Sequence, residues 1–196
     1  MAQQARPTSV GAYHFSANKE LFEIQRGNNF DFVIDLNLNG ISAYGTESKT
    51  FPNAVENIRL SVSQASVPHF KQTPIEVRRG NTAIKYAGVL SWDSGSLECY
   101  DFIGVETKDI LMAWQALSGN PLYQTVGQQA DYKFNASLIE YTPDYNQIVR
   151  TWKLDGCWIS SIDEDAYSVD AGNGARKIRC TIEYDRAWVD SYAETY

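Results

Sequence analysis

The chain has 196 residues, 43% hydrophobic and 13% aromatic, with a formal net charge of −7. That length suffices for one domain with a real core. The acidic balance excludes tight grip on a phosphate backbone, which needs a basic footprint, and no apolar run is long enough to span a bilayer.

In chain order, the opening stretch MAQQARPTSVGAYHFSANKE has no periodicity and lacks the apolar centre of a secretory signal. Residues 1–29 therefore read as an N-terminal arm, residues 30–190 as one β domain and residues 191–196 as a tail. Phe30, Phe32, Ile34, Leu36 and Leu38 alternate with polar positions and predict a strand with one buried face. Residues 39–57 hold no sustained period and read as a loop with at most a short helical turn. Ile58, Leu60 and Val62 alternate with Arg59, Ser61 and Ser63, again as in a strand.

The next stretch, IEVRRGNTAIKYAG, folds back on itself at Gly80-Asn81. Glycine reaches positive φ cheaply, so Gly-Asn suits a two-residue hairpin turn. Val77 then faces Ile84 and Ile75 faces Tyr86 on one side, while Glu76 meets Lys85 and Arg78 meets Ala83 on the other. The extended β-hairpin spans about residues 74–88, and a two-stranded ribbon with an apolar face must pack on something. LSWDSGSLECYDF follows as a second long strand.

In TKDILMAWQALSG the period changes. Ile110, Leu111, Trp114 and Leu117 recur at helical spacing, Thr107 caps the start, Asp109 suits the positive end of the dipole and Gly119 closes the last turn. This is the one α-helix expected, about residues 108–118. Strand patterns return at Tyr132–Leu138, Ile148–Leu154 and Ile178–Tyr184, with a short strand or loop over 160–175 ending in an Asn-Gly turn. With about seven or eight strands and one helix, the fold class is mainly β, a two-sheet β-sandwich or partly closed barrel.

Chemistry is scarce. His14 and His69 have no acid, cysteine or second histidine at catalytic or ligand spacing in the sequence. Asp163, Glu164, Asp165 and Asp170 lack the glycine and terminal glutamate of a calcium loop, and Gly172-Asn173-Gly174 is turn chemistry. Cys99, Cys157 and Cys180 are odd in number and far apart, and read as small buried hydrophobes in a protein folded in a reducing cytoplasm. The expectation is no catalytic, cofactor-binding or metal site, no cofactor and no enzyme activity.

The order of parts resembles one family. A strand (IRLSVSQASVP) leads into the hairpin, a long strand and a helix ending MAWQAL follow, and then come DYKFNASLIEY, VRTWKLDGCWISSID and KIRCTIEYDRAW. Gly156-Cys157-Trp158 before Ser161-Ile162-Asp163, and Tyr184, Asp185 and Trp188 at the close, add to it. Over residues 30–190 the chain resembles the tail tube proteins of contractile-tailed bacteriophages and the type VI tube-like proteins related to them.

The resemblance implies a hexameric ring with strands joined into an inner barrel, and rings stacked into a hollow conduit for genome delivery. It implies that the hairpin, through Ile75, Glu76, Val77, Arg78, Ile84, Lys85 and Tyr86, contacts the adjoining ring. Polar parity along the strands gives Ser61, Ser63, Ser96, Glu98, Asp131, Lys133, Asn135 and Ser137 as candidate lumen-lining residues. The implied partners are further copies of the chain, a tail sheath, a tape measure, a tube initiator or baseplate and a tail terminator. Viral DNA passes without specific binding, no membrane is involved, and the protein is made in the host cytoplasm for the virion. A baseplate or tube-initiator protein, a type VI secretion tube protein and a monomeric ligand-binding β-barrel are the alternatives.

Overall fold

The computed structural model describes residues 24–45, 49–164 and 174–192. The opening arm through residue 23 and the Asn-Gly turn at Asn173 lie outside the described residues. Along the chain run β1 (Phe30–Ile34), α1 (Ala54–Ser61), β2 (Val62–Ala65), β3 (Phe70–Gln72), β4 (Ile75–Arg79) and β5 (Thr82–Tyr86). They are followed by β6 (Leu90–Trp92), β7 (Gly95–Tyr100), α2 (Thr107–Ser118), β8 (Phe134–Tyr141), β9 (Ile148–Glu164), β10 (Lys177–Glu183) and β11 (Arg186–Tyr192).

A seven-stranded arrangement carries the fold, in the order β1-β8-β9-β10-β7-β2, with β11 also on β9. The strand that makes this possible is β9, 17 residues long. Its first part pairs with β8 on one side and β11 on the other, and its last part, from Trp158 to Glu164, pairs with β10. One strand thus belongs to two sheets. Gly156 lies at the passage between them with φ +68°, a left-handed backbone that side chains other than glycine's strain to adopt. This residue resets the alternation, so that Leu154 and Cys157, three positions apart, are both buried.

The inner faces meet in a single core. Phe32, Ile34, Ala136, Leu138 and Leu154 come from the first sheet, and Leu97, Cys99, Ile178, Cys180 and Ile182 from the second. Ile110, Leu111 and Trp114 of α2 complete it, each worth roughly 2 kcal/mol when fully buried. Trp114 also donates its indole N–H to the Tyr132 carbonyl at 3.3 Å and meets the Phe134 ring edge-on.

Several sequence readings need correction. The stretch read as a strand at Ile58–Val62 is mostly helix. The face that α1 buries is Ala54, Val55, Ile58 and Ser61, at helical spacing, and Leu60 is 68% exposed. The described residues therefore contain two helices of two turns or more, besides a helical turn at Gln129–Tyr132, rather than one helix. β1 ends at Ile34, before a 3-10 turn at Leu36–Leu38, and β8 starts at Phe134 instead of Tyr132. LSWDSGSLECYDF is two strands in different sheets, β6 and β7. Thr107 does not cap α2: it is the first helical residue, after Glu106, and its hydroxyl lies 2.9 Å from that of Ser61. Among the described residues β1 and β2 end the strand order without pairing with each other, so no closed barrel forms.

Candidate assembly surfaces

The hairpin forms in the predicted register, with Ile75 opposite Tyr86, Glu76 opposite Lys85, Val77 opposite Ile84 and Arg78 opposite Ala83. Gly80 takes φ +61° at the turn, and Lys85 pairs with Glu76 at 3.3 Å. Every residue of β4 and β5 is exposed. Ile75, Val77, Ile84 and Tyr86 keep 56, 41, 45 and 54% of their surface in solvent, so the ribbon's apolar face finds no cover among the described residues of its own subunit. Phe70, Val89 and Leu90, nearer the body, extend the apolar surface.

The arm is fixed at its root and jointed in its middle. At the root Phe70 meets Trp92 edge-on with centroids 5.3 Å apart, and Trp92 leans on the buried Tyr184 at 5.9 Å. Asp93 binds Lys71 and lies 3.4 Å from His69, an acid–histidine proximity that the sequence does not reveal because the whole hairpin separates the two residues in the chain. Further out, among the described residues, β3 pairs with β6 and β4 with β5, as separate ladders. Between them Gly88 passes so near Thr73 that a Cβ would stand 1.9 Å from the Thr73 carbonyl oxygen.

The second surface is the outer face of the sheet formed by the end of β9, β10, β7 and β2. Register puts Ser96 beside Thr181, Glu98 beside Arg179, Thr181 beside Ser161 and Arg179 beside Asp163. These residues alternate with the core positions Leu97, Cys99, Ile178, Cys180 and Ile182. The sheet's outermost strands, β2 and the end of β9, have no further strand partner among the described residues. Both edges are open to pairing.

Glu98 is the electrostatic centre of that face. One carboxylate oxygen accepts from Lys177 Nζ at 2.6 Å and the other from Arg179 Nε at 2.9 Å, while Ser63 Oγ donates at 3.2 Å. The bond from Lys177, then that from Arg179, hold the Glu98 carboxyl down at about 2, and the same contact raises Lys177.

The remaining wall candidates divide. Ser63 and Ser96 share the neighbourhood of Glu98, and Ser66 Oγ accepts from the Ser96 amide. Asn135 and Ser137 lie on β8 of the other sheet, Ser137 opposite Lys153. Lys133 holds Asp185 through both carboxylate oxygens at 2.7 Å, and Asp131 is exposed on the helical turn before it. Ser61 is not a wall residue: it is fully buried on α1 and donates to the Asn57 carbonyl at 2.6 Å. The sequence parity missed Lys177 and Arg179, whose role depends on a partner 79 and 81 positions away. The three cysteines are buried and none is in a disulfide, and burial pushes the Cys99 and Cys157 thiols up to about 12.

No family model matches the chain, and no curated protein matches it in sequence. Solved structures do resemble it. The tube-terminating cap of the anti-feeding prophage superposes with a TM-score of 0.59 at 14% identity, over 86% of this chain and 91% of that one. The PVC sheath–tube complex of an extracellular contractile injection system, in its extended state, gives 0.59 at 13% identity, over 90% and 97%. The sheath/tube terminator of the PVC system gives 0.57 at 15% identity, over 83% and 94%. The chain therefore has the fold of the tube and tube-terminating proteins of contractile injection systems.

Proposed function

We propose that the chain is a structural tube subunit of a contractile tail. Copies join through the open edges of the β2-β7-β10-β9 sheet into hexameric rings, and rings stack through the β4–β5 hairpin into a hollow conduit for the genome. The observation that carries this reading is the hairpin, which is held in register by its own pairs yet leaves Ile75, Val77, Ile84 and Tyr86 uncovered. Monomeric proteins rarely expose contiguous apolar patches of more than a few hundred Å². A contact between the hairpin and a different surface of the next copy is heterologous, and such contacts repeated along an axis give an open filament. The uncovered polar face with Ser63, Ser96 and Glu98 then forms the channel wall in this reading.

The protein performs no bond chemistry in this role. A sheath surrounds the tube, a tape measure occupies it during assembly, an initiator or baseplate starts it and a terminator ends it. The finished particle is a virion. Negative-stain microscopy of the purified protein tests the proposal. Rings or tubes are expected, and a protein that stays monomeric at high concentration and with its tail initiator refutes it. A tube terminator is the second reading, favoured by the likeness to the anti-feeding prophage cap and the PVC terminator. Such a protein forms single rings and caps preformed tubes without extending them.

A further inference from the structure

On the outer face of the β2-β7-β10-β9 sheet, four charges form one cluster. Arg179 on β10 is flanked by Glu98 on β7 and Asp163 on β9, and Lys177 stands two positions along β10. Two cations and two carboxylates cancel. The carboxylate of Glu98 lies low between its partners: its side chain is 13% exposed, against 35% for Lys177 and 61% for Arg179. The neighbours Ser63, Ser96, Ser161 and Thr181 are small and uncharged. The cations thus stand further into solvent than the acid, and Glu98 is the acid that answers both of them.

We propose that Glu98 masks Lys177 and Arg179 from any phosphodiester polyanion that moves along this face, and so keeps the face from holding it. This rests on the reading that the face lines the channel. Each cation offered to a phosphate releases condensed counterions and turns passage into binding. Removing the carboxylate adds one positive charge per subunit, and assembly repeats that charge around every ring and along every stack. A single side chain therefore separates a wall that is slid past from a wall that grips.

A merely structural cross-strand ion pair would affect stability alone, so the test reads polyanion affinity. The series is wild type, Glu98→Gln and Glu98→Lys, with Glu98→Gln/Lys177→Gln as the reversal. Glutamine keeps the shape and can still accept from Lys177, which preserves the fold. A fluorescent double-stranded oligonucleotide is titrated against assembled tubes and against unassembled subunits. Affinity is expected to rise along the series and to fall back in the double variant. Between 50 and 200 mM salt the affinity should weaken by about 3.5-fold for each additional phosphate that the variant neutralises. Equal affinity across the series in tubes that form normally overturns the inference and leaves the tube reading intact. If no tubes form, the tube reading fails, and the same order or equality on the unassembled subunit decides the masking by itself.

Discussion

Replacing Ile75 and Val77 together with Asp separates a hairpin that belongs to the subunit's own core from one that belongs to a neighbour. The four apolar side chains of its face are each about half exposed. Full burial of such a side chain is worth about 1.5–3 kcal/mol, so each retains about 1 kcal/mol to gain on docking, or about 4 kcal/mol together. That is about a thousandfold in the association constant of one contact. The double variant forfeits about half of it and also places two charges against apolar surface, at a cost of several kcal/mol. Stacking should be abolished at micromolar concentration.

The subunit itself loses only its two cross-strand pairs, with Tyr86 and Ile84, at about 0.2–1 kcal/mol each. Its Tm should fall by no more than about 8 °C. Sedimentation velocity and negative stain measure assembly, and circular dichroism measures the melt. An unfolded variant would place the hairpin in the subunit's own core. A folded variant that still makes tubes would remove the hairpin from the ring contact. Either result refutes the reasoning.

Gly156→Ala should destabilise the subunit by about 1–2 kcal/mol, the cost of a left-handed backbone with a side chain, for a fall in Tm of about 2–8 °C. The new Cβ would also stand 2.4 Å from Asp185 Oδ2 and disturb its pair with Lys133, so an unchanged melt speaks against the role given to this glycine. Acid unfolding should depend on Glu98, whose carboxyl is held at about 2 against an ordinary 4.5 by Lys177 first and Arg179 second. A depressed carboxyl contributes its full stabilisation above about pH 4.5 and loses it as the pH falls toward 2. Urea midpoints at several pH values should therefore drop less over that window in Glu98→Gln than in wild type. Parallel curves would show that another group is linked to unfolding there.

What the sequence disclosed follows the range of the interactions involved. The hairpin is local: a turn glycine, two apolar pairs and one charge pair set its register within a single short stretch of chain. α2 is local too, with large apolar residues marking its buried side. α1 escaped because its buried face uses Ala54 and Ser61, which carry little hydrophobic signal, while Leu60 points to solvent and completes a false alternation with Ile58 and Val62. The same false alternation put Ser61 on the channel wall. The division of β9 between two sheets is hidden because its alternation resets at Gly156 and slips again between Ile159 and Ser161. The cluster at Glu98 is set by the pairing of strands far apart in the chain, which periodicity does not report.

The interrupted ladder of the hairpin arm has a mechanical consequence. A two-stranded ribbon resists flexing through the continuity of its cross-strand hydrogen bonds, and in this arm the bonds stop at Gln72 and Leu90 and resume at Ile75 and Tyr86. The root is stiff, tied to the body through Trp92 and Tyr184. Compliance is therefore concentrated at Thr73, Pro74 and Ala87 to Val89. In any polymer whose rings grip one another through such arms, curvature is absorbed at these joints while the rings keep their shape. The flexural rigidity of such a polymer would then be set by a few residues outside the core.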